Sequence, residues 1–145
     1  MRSVMSLPAS RAGRFFHLFQ VNDMSVREPT LRVSMLPRDT NARGTIFGGV
    51  ILSHIDLAGA IAAHRHAPRN FVTKAMREVE FISPVYVGDV VSFYAALVRV
   101  GRTSLTIRVE VESERFHQPG QKVRVTAAEV VYVAIDEDGR STPIK

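Results

Sequence analysis

Hydrophobic residues follow two different spacings along this chain, and the switch between them outlines the fold. From Thr30 to Leu36 the alternation is strict, with Leu31, Val33 and Met35 on one side and Arg32 and Ser34 on the other. That predicts a half-buried strand ended by Pro37. Pro37 to Thr45 is polar and reads as a loop. After Gly48-Gly49 the alternation disappears, and Val50, Ile51, Leu52, Ile55, Leu57, Ala58, Ala60, Ile61, Ala62 and Ala63 run to His64 with Asp56 as the only charge. This predicts a helix from about Gly49 to Arg65, with Pro68 ending any continuation. Four strand-like segments follow: Phe71 to Ile82, Val90 to Val100, Ser104 to Glu114 and Val123 to Ile135. The third has the cleanest period of two, Leu105, Ile107, Val109 and Val111 alternating with Thr106, Arg108, Glu110 and Glu112. Gly88-Asp89, Gly101 and Pro119-Gly120 supply the turns between them.

Consecutive strands joined by short turns pair antiparallel, and a helix that is apolar nearly all round needs a sheet wrapped about it. The fold class is therefore α+β: a single domain with an antiparallel sheet of five or more strands around a long central helix. The 145 residues suit one such domain. One chain would leave part of the helix and one sheet edge uncovered, so self-association, at least as a dimer, is expected.

Composition narrows the chemistry. There is no cysteine, which excludes disulfides, thiol catalysis and cysteine-based zinc sites, and suits a cytoplasmic location. No apolar run approaches the roughly 20 residues of a membrane span, and no stable membrane association is expected. The net charge of +5 is dispersed among the strands and not gathered in one run. An anionic, phosphate-bearing ligand or plain solubility fits this better than nucleic acid. Residues 1–23 stand apart: Arg2, Arg11 and Arg14 with no acidic residue before Asp23, and a cluster of Phe15, Phe16, Leu18 and Phe19. They faintly resemble a transit peptide, or they precede a true start at Met24. The expected division is an N-terminal extension at 1–23, outside the core, and one domain at 24–145.

The reactive candidates cluster on the helix. A buried carboxylate is expensive without partners, so Asp56 needs hydrogen bonds or a catalytic role. Gly48 and Gly49 can bring backbone N–H groups close to a ligand at the helix start, where the macrodipole favours negative charge. Around the helix, Asp56 shares a face with Leu52, Gly59, Ala60 and Ala63, and the small residues Gly59 and Ala60 are expected to leave space for a substrate chain. His54 lies about 200° round from Asp56, so the two cannot easily form a dyad. Ser53 is expected to position substrate or to bond the helix, since a nucleophilic role lacks a base. His64, Arg65 and His66 read as cationic termination at the negative helix end. No metal site is expected.

The stretch Asp39-Thr40-Asn41-Ala42-Arg43-Gly44-Thr45-Ile46-Phe47-Gly48-Gly49, followed by Ser53-His54-Ile55-Asp56, resembles the acyl-CoA thioester hydrolases of the YciA and cytosolic acyl-CoA hydrolase type. Phe81-Ile82-Ser83-Pro84-Val85, Val87-Gly88-Asp89-Val90-Val91 and Val100-Gly101-Arg102-Thr103-Ser104 extend the match over about Leu31 to Ile144. The resemblance implies the hotdog fold and cleavage of fatty acyl-CoA to free acid and coenzyme A, which places the chain in fatty acid metabolism. It implies Asp56 as general base or nucleophile, and Asn41 as a group that holds water or thioester across a subunit interface. Backbone N–H of Gly49, with Gly48, would polarise the thioester oxygen. Arg102, Thr103 and Ser104 fall where relatives contact coenzyme A, and relatives assemble as hexamers, trimers of dimers. No separate cofactor is implied, coenzyme A being part of substrate and product. Thr45, Phe47, His54 and Arg77 depart from the family pattern and bear on substrate preference. A hotdog hydratase or dehydratase acting on enoyl-thioesters, or a non-catalytic acyl-CoA-binding regulator, are the alternatives.

Overall fold

The computed structural model describes residues 27–145; the expectation for residues 1–23 lies outside the described residues. In chain order the elements are β1 (Leu31–Ser34), α1 (Gly48–His66), β2 (Asn70–Arg77), β3 (Val90–Val100), β4 (Ser104–Glu114) and β5 (Lys122–Ile135), with one 3-10 turn at Pro37–Asp39 before α1. The strands form a single sheet in the order β1-β3-β4-β5-β2, and every pairing is antiparallel. β3, β4 and β5 meander through short turns, as their spacing predicts. The two strands that flank α1 in sequence lie at opposite edges, so the sheet is drawn around the helix from both sides. α1 packs against β2, β3, β4 and β5.

The clean alternation of β4 is realised: Leu105, Ile107, Val109 and Val111 are buried and meet Ile51, Ile55, Ala58 and Ala63 of α1 in one core with Val91, Phe93 and Val130. The helix itself is not covered all round. Leu57 is 50% exposed and Ser53 is exposed, because five strands of one chain reach only part of its circumference. β2 forms one edge of the sheet. At the other edge β1 pairs only with Val90 to Phe93, and beyond it Leu97, Val98 and Val100 of β3 remain exposed.

The strand expected to run from Phe71 to Ile82 stops at Arg77. Glu78 takes φ 57°, a left-handed conformation in which the β pleat cannot continue. The chain beyond it still follows β5, with Thr126 Oγ1 donating to Glu80 O at 2.7 Å and Ile82 N donating to Val125 O at 2.8 Å. β2 also carries a bulge between Thr73 and Ala75.

The Gly88-Asp89 turn ties three segments together. Gly88, at φ 89°, donates its N–H to Met35 O, and Met35 N donates to Asp89 O. Asp89 is 2% exposed, and its side chain accepts from Tyr86 N, Phe116 N, Ser113 Oγ and Arg115 Nη1, the last at 2.7 Å. Burial pushes this carboxyl up, but the hydrogen bonds from Tyr86, Arg115, Phe116 and Ser113 outweigh it and hold the group below its usual range. The stabilisation is therefore present above the ordinary aspartate value of about 3.9 and is lost as pH falls through the lower folded value. Asp89→Ala removes one partner of a buried pair and is expected to cost about 3 kcal/mol at neutral pH. Urea unfolding at pH 7 and pH 3 checks this, with the gap between wild type and variant narrowing at pH 3.

Candidate active site

Asp56 faces β2 and β5. Thr73 Oγ1 donates to its Oδ1 at 2.6 Å, and the Tyr132 hydroxyl lies 3.1 Å from the same oxygen and 2.6 Å from the Asp56 carbonyl oxygen. Thr73 and Tyr132 are register partners on neighbouring strands, which is why two hydroxyls from distant parts of the chain converge on one carboxylate oxygen. Oδ2 takes no hydrogen bond among the described residues, and the Asp56 residue is half-buried. Burial, reinforced by the Asp56 charge and the hydrogen bond to it, pushes the Tyr132 phenol far above its usual range. Tyr132 thus remains a donor at neutral pH, and the carboxylate has one oxygen fixed and one available.

Gly59 takes its meaning from this arrangement. A Cβ there would collide with the Tyr132 hydroxyl. The space beside Asp56 that two small residues were expected to keep for substrate is occupied at Gly59 by Tyr132 of the same chain. Neither Tyr132 nor Thr73 was singled out from the sequence. The available signal for Tyr132 was a polar-tipped residue between the apolar Val130 and Ala134 on β5, where a buried phenol needs a partner and Asp56 was the one charge between Val50 and His64 on the facing helix. Thr73 gave no such signal, since threonine is ordinary in a strand.

The start of α1 is a second locus. Phe47 occupies the N-cap without a side-chain cap, and Gly48 and Gly49 donate their N–H groups to no acceptor among the described residues. They are free donors at the positive helix end. The Phe47 ring lies across Gly49 so closely that a Cβ would strike it. Beside Gly48 opens a cleft of about 340 Å³, lined by Ile46, Ile51, Phe81, Ile82, Pro84 and Val85 among others. Asn41 braces the loop leading in: its amide donates to Thr45 Oγ1 at 2.9 Å and its Oδ1 accepts from Arg43 N at 2.9 Å.

These two loci do not meet within one chain. Asp56 lies two helical turns beyond Gly49, about 10 Å along the axis, so one small reacting group cannot touch both. The Arg102-Thr103-Ser104 turn is at the Asp56 end of the sheet: Ser104 adjoins Leu105, the register partner of Tyr132. Main-chain bonds hold that turn, from Ala134 N to Thr103 O and from Ile144 N to Arg102 O, and the Arg102 side chain is exposed. Ser53 Oγ donates back to Val50 O at 2.7 Å. His54 Nδ1 lies 2.8 Å from the same carbonyl, and its ring packs on Phe93 at 5.6 Å between centroids. His54 therefore faces β3 and Asp56 faces β2 and β5, so they build no histidine–carboxylate pair. Among the described residues no cluster of three or more His, Asp or Glu is placed to hold a metal, and no helix is long and apolar enough to cross a membrane.

Helix and sheet order agree with a hotdog protein, and comparison with known families makes the class definite. Residues 43–118 match the thioesterase superfamily, and the chain belongs to that family. It is similar to the acyl-CoA thioester hydrolase YciA of Salmonella typhimurium, with 43% identity over 119 residues, 81% of this chain and 90% of that protein. A hexameric hotdog-fold thioesterase of Campylobacter jejuni superposes with a TM-score of 0.77 at 45% identity, covering 82% of this chain and 91% of the other. A hexameric broad-specificity acyl-coenzyme A thioesterase, solved with one aspartate changed to alanine, superposes with a TM-score of 0.78 at 41% identity over 83% and 88% of the two chains.

Because the Tyr132 hydroxyl occupies the place of a Gly59 side chain, Gly59→Ala overpacks the helix–sheet contact. The expected loss is about 1–3 kcal/mol, despite alanine's better helix propensity. Thermal denaturation measures it, and an unchanged or raised Tm would show that the contact yields freely.

Proposed function

We propose that this protein hydrolyses acyl-CoA thioesters, fatty acyl-CoA among them, to free acid and coenzyme A. The observation that carries the reading is the Asp56 carboxylate, with Oδ1 held by Thr73 and Tyr132 and Oδ2 unencumbered, in a chain of the thioesterase superfamily. Relatives named as acyl-CoA thioester hydrolases support the substrate class.

Asp56 Oδ2 takes a proton from water, and the resulting hydroxide adds to the thioester carbonyl carbon. The negative charge moves to the carbonyl oxygen, where the Gly48 and Gly49 N–H groups stabilise it. Collapse of the tetrahedral intermediate breaks the C–S bond, and the departing thiolate recovers the proton from Asp56. A thioester has little resonance stabilisation, so a base, an oriented water and two fixed donors suffice. Since Asp56 and Gly49 of one chain are about 10 Å apart, the donors come from a second copy whose helix runs antiparallel. The uncovered face of α1 and the free edge of β2 support such a dimer. The relatives described as hexameric support a trimer of these dimers. Arg102, Thr103 and Ser104, at the Asp56 end of the sheet, suit contacts to the coenzyme A moiety, with the Arg102 guanidinium matched to phosphate. Asn41 secures the loop that presents the helix start.

The test is Asp56→Ala, assayed by release of free thiol from acyl-CoA substrates from acetyl to palmitoyl. Turnover is expected to fall by roughly two to four orders of magnitude, the usual contribution of a general base, with oligomeric state unchanged. Near-normal turnover on every chain length would overturn the assignment.

A further inference from the structure

Catalysis through Asp56 asks more of this chain than an ionised carboxylate: the group must present one oxygen in a fixed direction. We propose that Tyr132 is the positioning residue that aims Asp56, and that Gly59 is kept as the seat for its hydroxyl. The inference rests on the Asp56 reading above and concerns how that carboxylate is held.

Three observations converge. First, the inward neighbours of Tyr132 on β5, Val130 and Ala134, are fully buried and apolar. A phenol among them must find a partner on the facing helix. Second, the partner is Asp56 twice over, since the hydroxyl lies 2.6 Å from its main-chain oxygen and 3.1 Å from Oδ1. The single hydroxyl proton is shared, with its short arm on the main-chain oxygen and its long arm on Oδ1, so Tyr132 ties the side chain of Asp56 to the backbone of the same residue and restricts rotation of the carboxylate. Third, this approach is open only because position 59 is glycine, where a Cβ would collide with the hydroxyl. Glycine in a helix interior is unfavourable, so close contact is what position 59 supplies.

Thr73 also donates to Oδ1, but it is an exposed residue on an edge strand beside the bulge in β2. Tyr132 is 1% exposed and its ring cannot drift. With Oδ1 engaged by Thr73 and by the shared proton of the rigid Tyr132, Oδ2 is left as the reactive oxygen. Few other titratable groups bear on Asp56. β4 presents Leu105 and Ile107, and β3 presents Phe93. His54 packs on Phe93, and Lys74, next to Thr73, is exposed.

The experiment compares wild type, Tyr132→Phe and Asp56→Ala as full chains, with butyryl-CoA as the probe and free thiol as the readout. Tyr132→Phe keeps the ring and loses only the donor. Its kcat is expected to fall roughly tenfold, the scale of one hydrogen bond to a charged group, with KM within about twofold, since no contact to substrate is lost. A merely structural role for Tyr132 would lower Tm and leave the kcat of the folded protein within about twofold of wild type. Such an unmoved kcat overturns the proposal; if Asp56→Ala is inactive at the same time, the Asp56 reading stands without it. Wild-type turnover in Asp56→Ala overturns both. Should Tyr132→Phe fail to fold, a fluorinated tyrosine at position 132, which keeps the ring and alters the donor, is expected to change kcat with KM unmoved, and a kcat equal to wild type overturns the proposal equally.

Discussion

Between Val50 and Ala63, α1 carries aliphatic side chains at all but a few positions, and water is a poor solvent for such a helix. Covering it requires strands on more than one side. The chain achieves this by sending β1 and β2, the strands that flank the helix in sequence, to opposite edges of one sheet. The same solution leaves Leu57 exposed and the β2 edge open. The need to bury α1 thus dictates the sheet order, and it also accounts for the surface that a second copy is proposed to cover.

That constraint sets the terms for the chemistry. A carboxylate on a largely buried helix must be compensated, and here the compensation is asymmetric, with two hydroxyls on Oδ1 and none on Oδ2. That asymmetry is what the proposed general base requires and a neutralised structural group lacks. Asp89 is the contrast within the same molecule: its two oxygens accept from two main-chain N–H groups, a serine and an arginine. Both aspartates are bonded, but only one has an oxygen to spare. The helix also fixes the scale of the site. Two turns of α1 separate the free Gly48 and Gly49 donors from Asp56, so the element that carries both halves of the proposed machinery prevents them from serving one thioester in the same chain.

Much of this was legible in the sequence. The period of two in β4, the apolar helix with one carboxylate and the Gly48-Gly49 step each depend on neighbouring residues, and each is found in the structure where the spacing places it. The angular separation of His54 and Asp56 was also readable, being pure helical geometry. What escaped was non-local or conformational. Nothing about a glutamate announces the positive φ that ends β2 at Arg77. Thr73 and Tyr132 lie 17 and 76 residues from Asp56, and only the pairing of β2 with β5 brings them together. Gly59 is the instructive case: the sequence reveals a small residue next to a carboxylate, but only the packed strand reveals what fills the space.

A working site is proposed to take its carboxylate from one chain and its N–H donors from another, and subunit mixing tests this most directly. Asp56→Ala removes the first half. Gly49→Pro removes an N–H in the first helical turn, where proline is tolerated, with the exposed Phe47 ring swinging aside. Each variant alone is expected to be nearly inactive. After subunit exchange, confirmed by tagged chains, an equal mixture should recover roughly a quarter of wild-type activity, since half of the two-fold dimers are mixed and each then holds one intact site. Exchange without recovery would contradict the account, because it would mean that each chain builds its site from its own Asp56 and its own helix start.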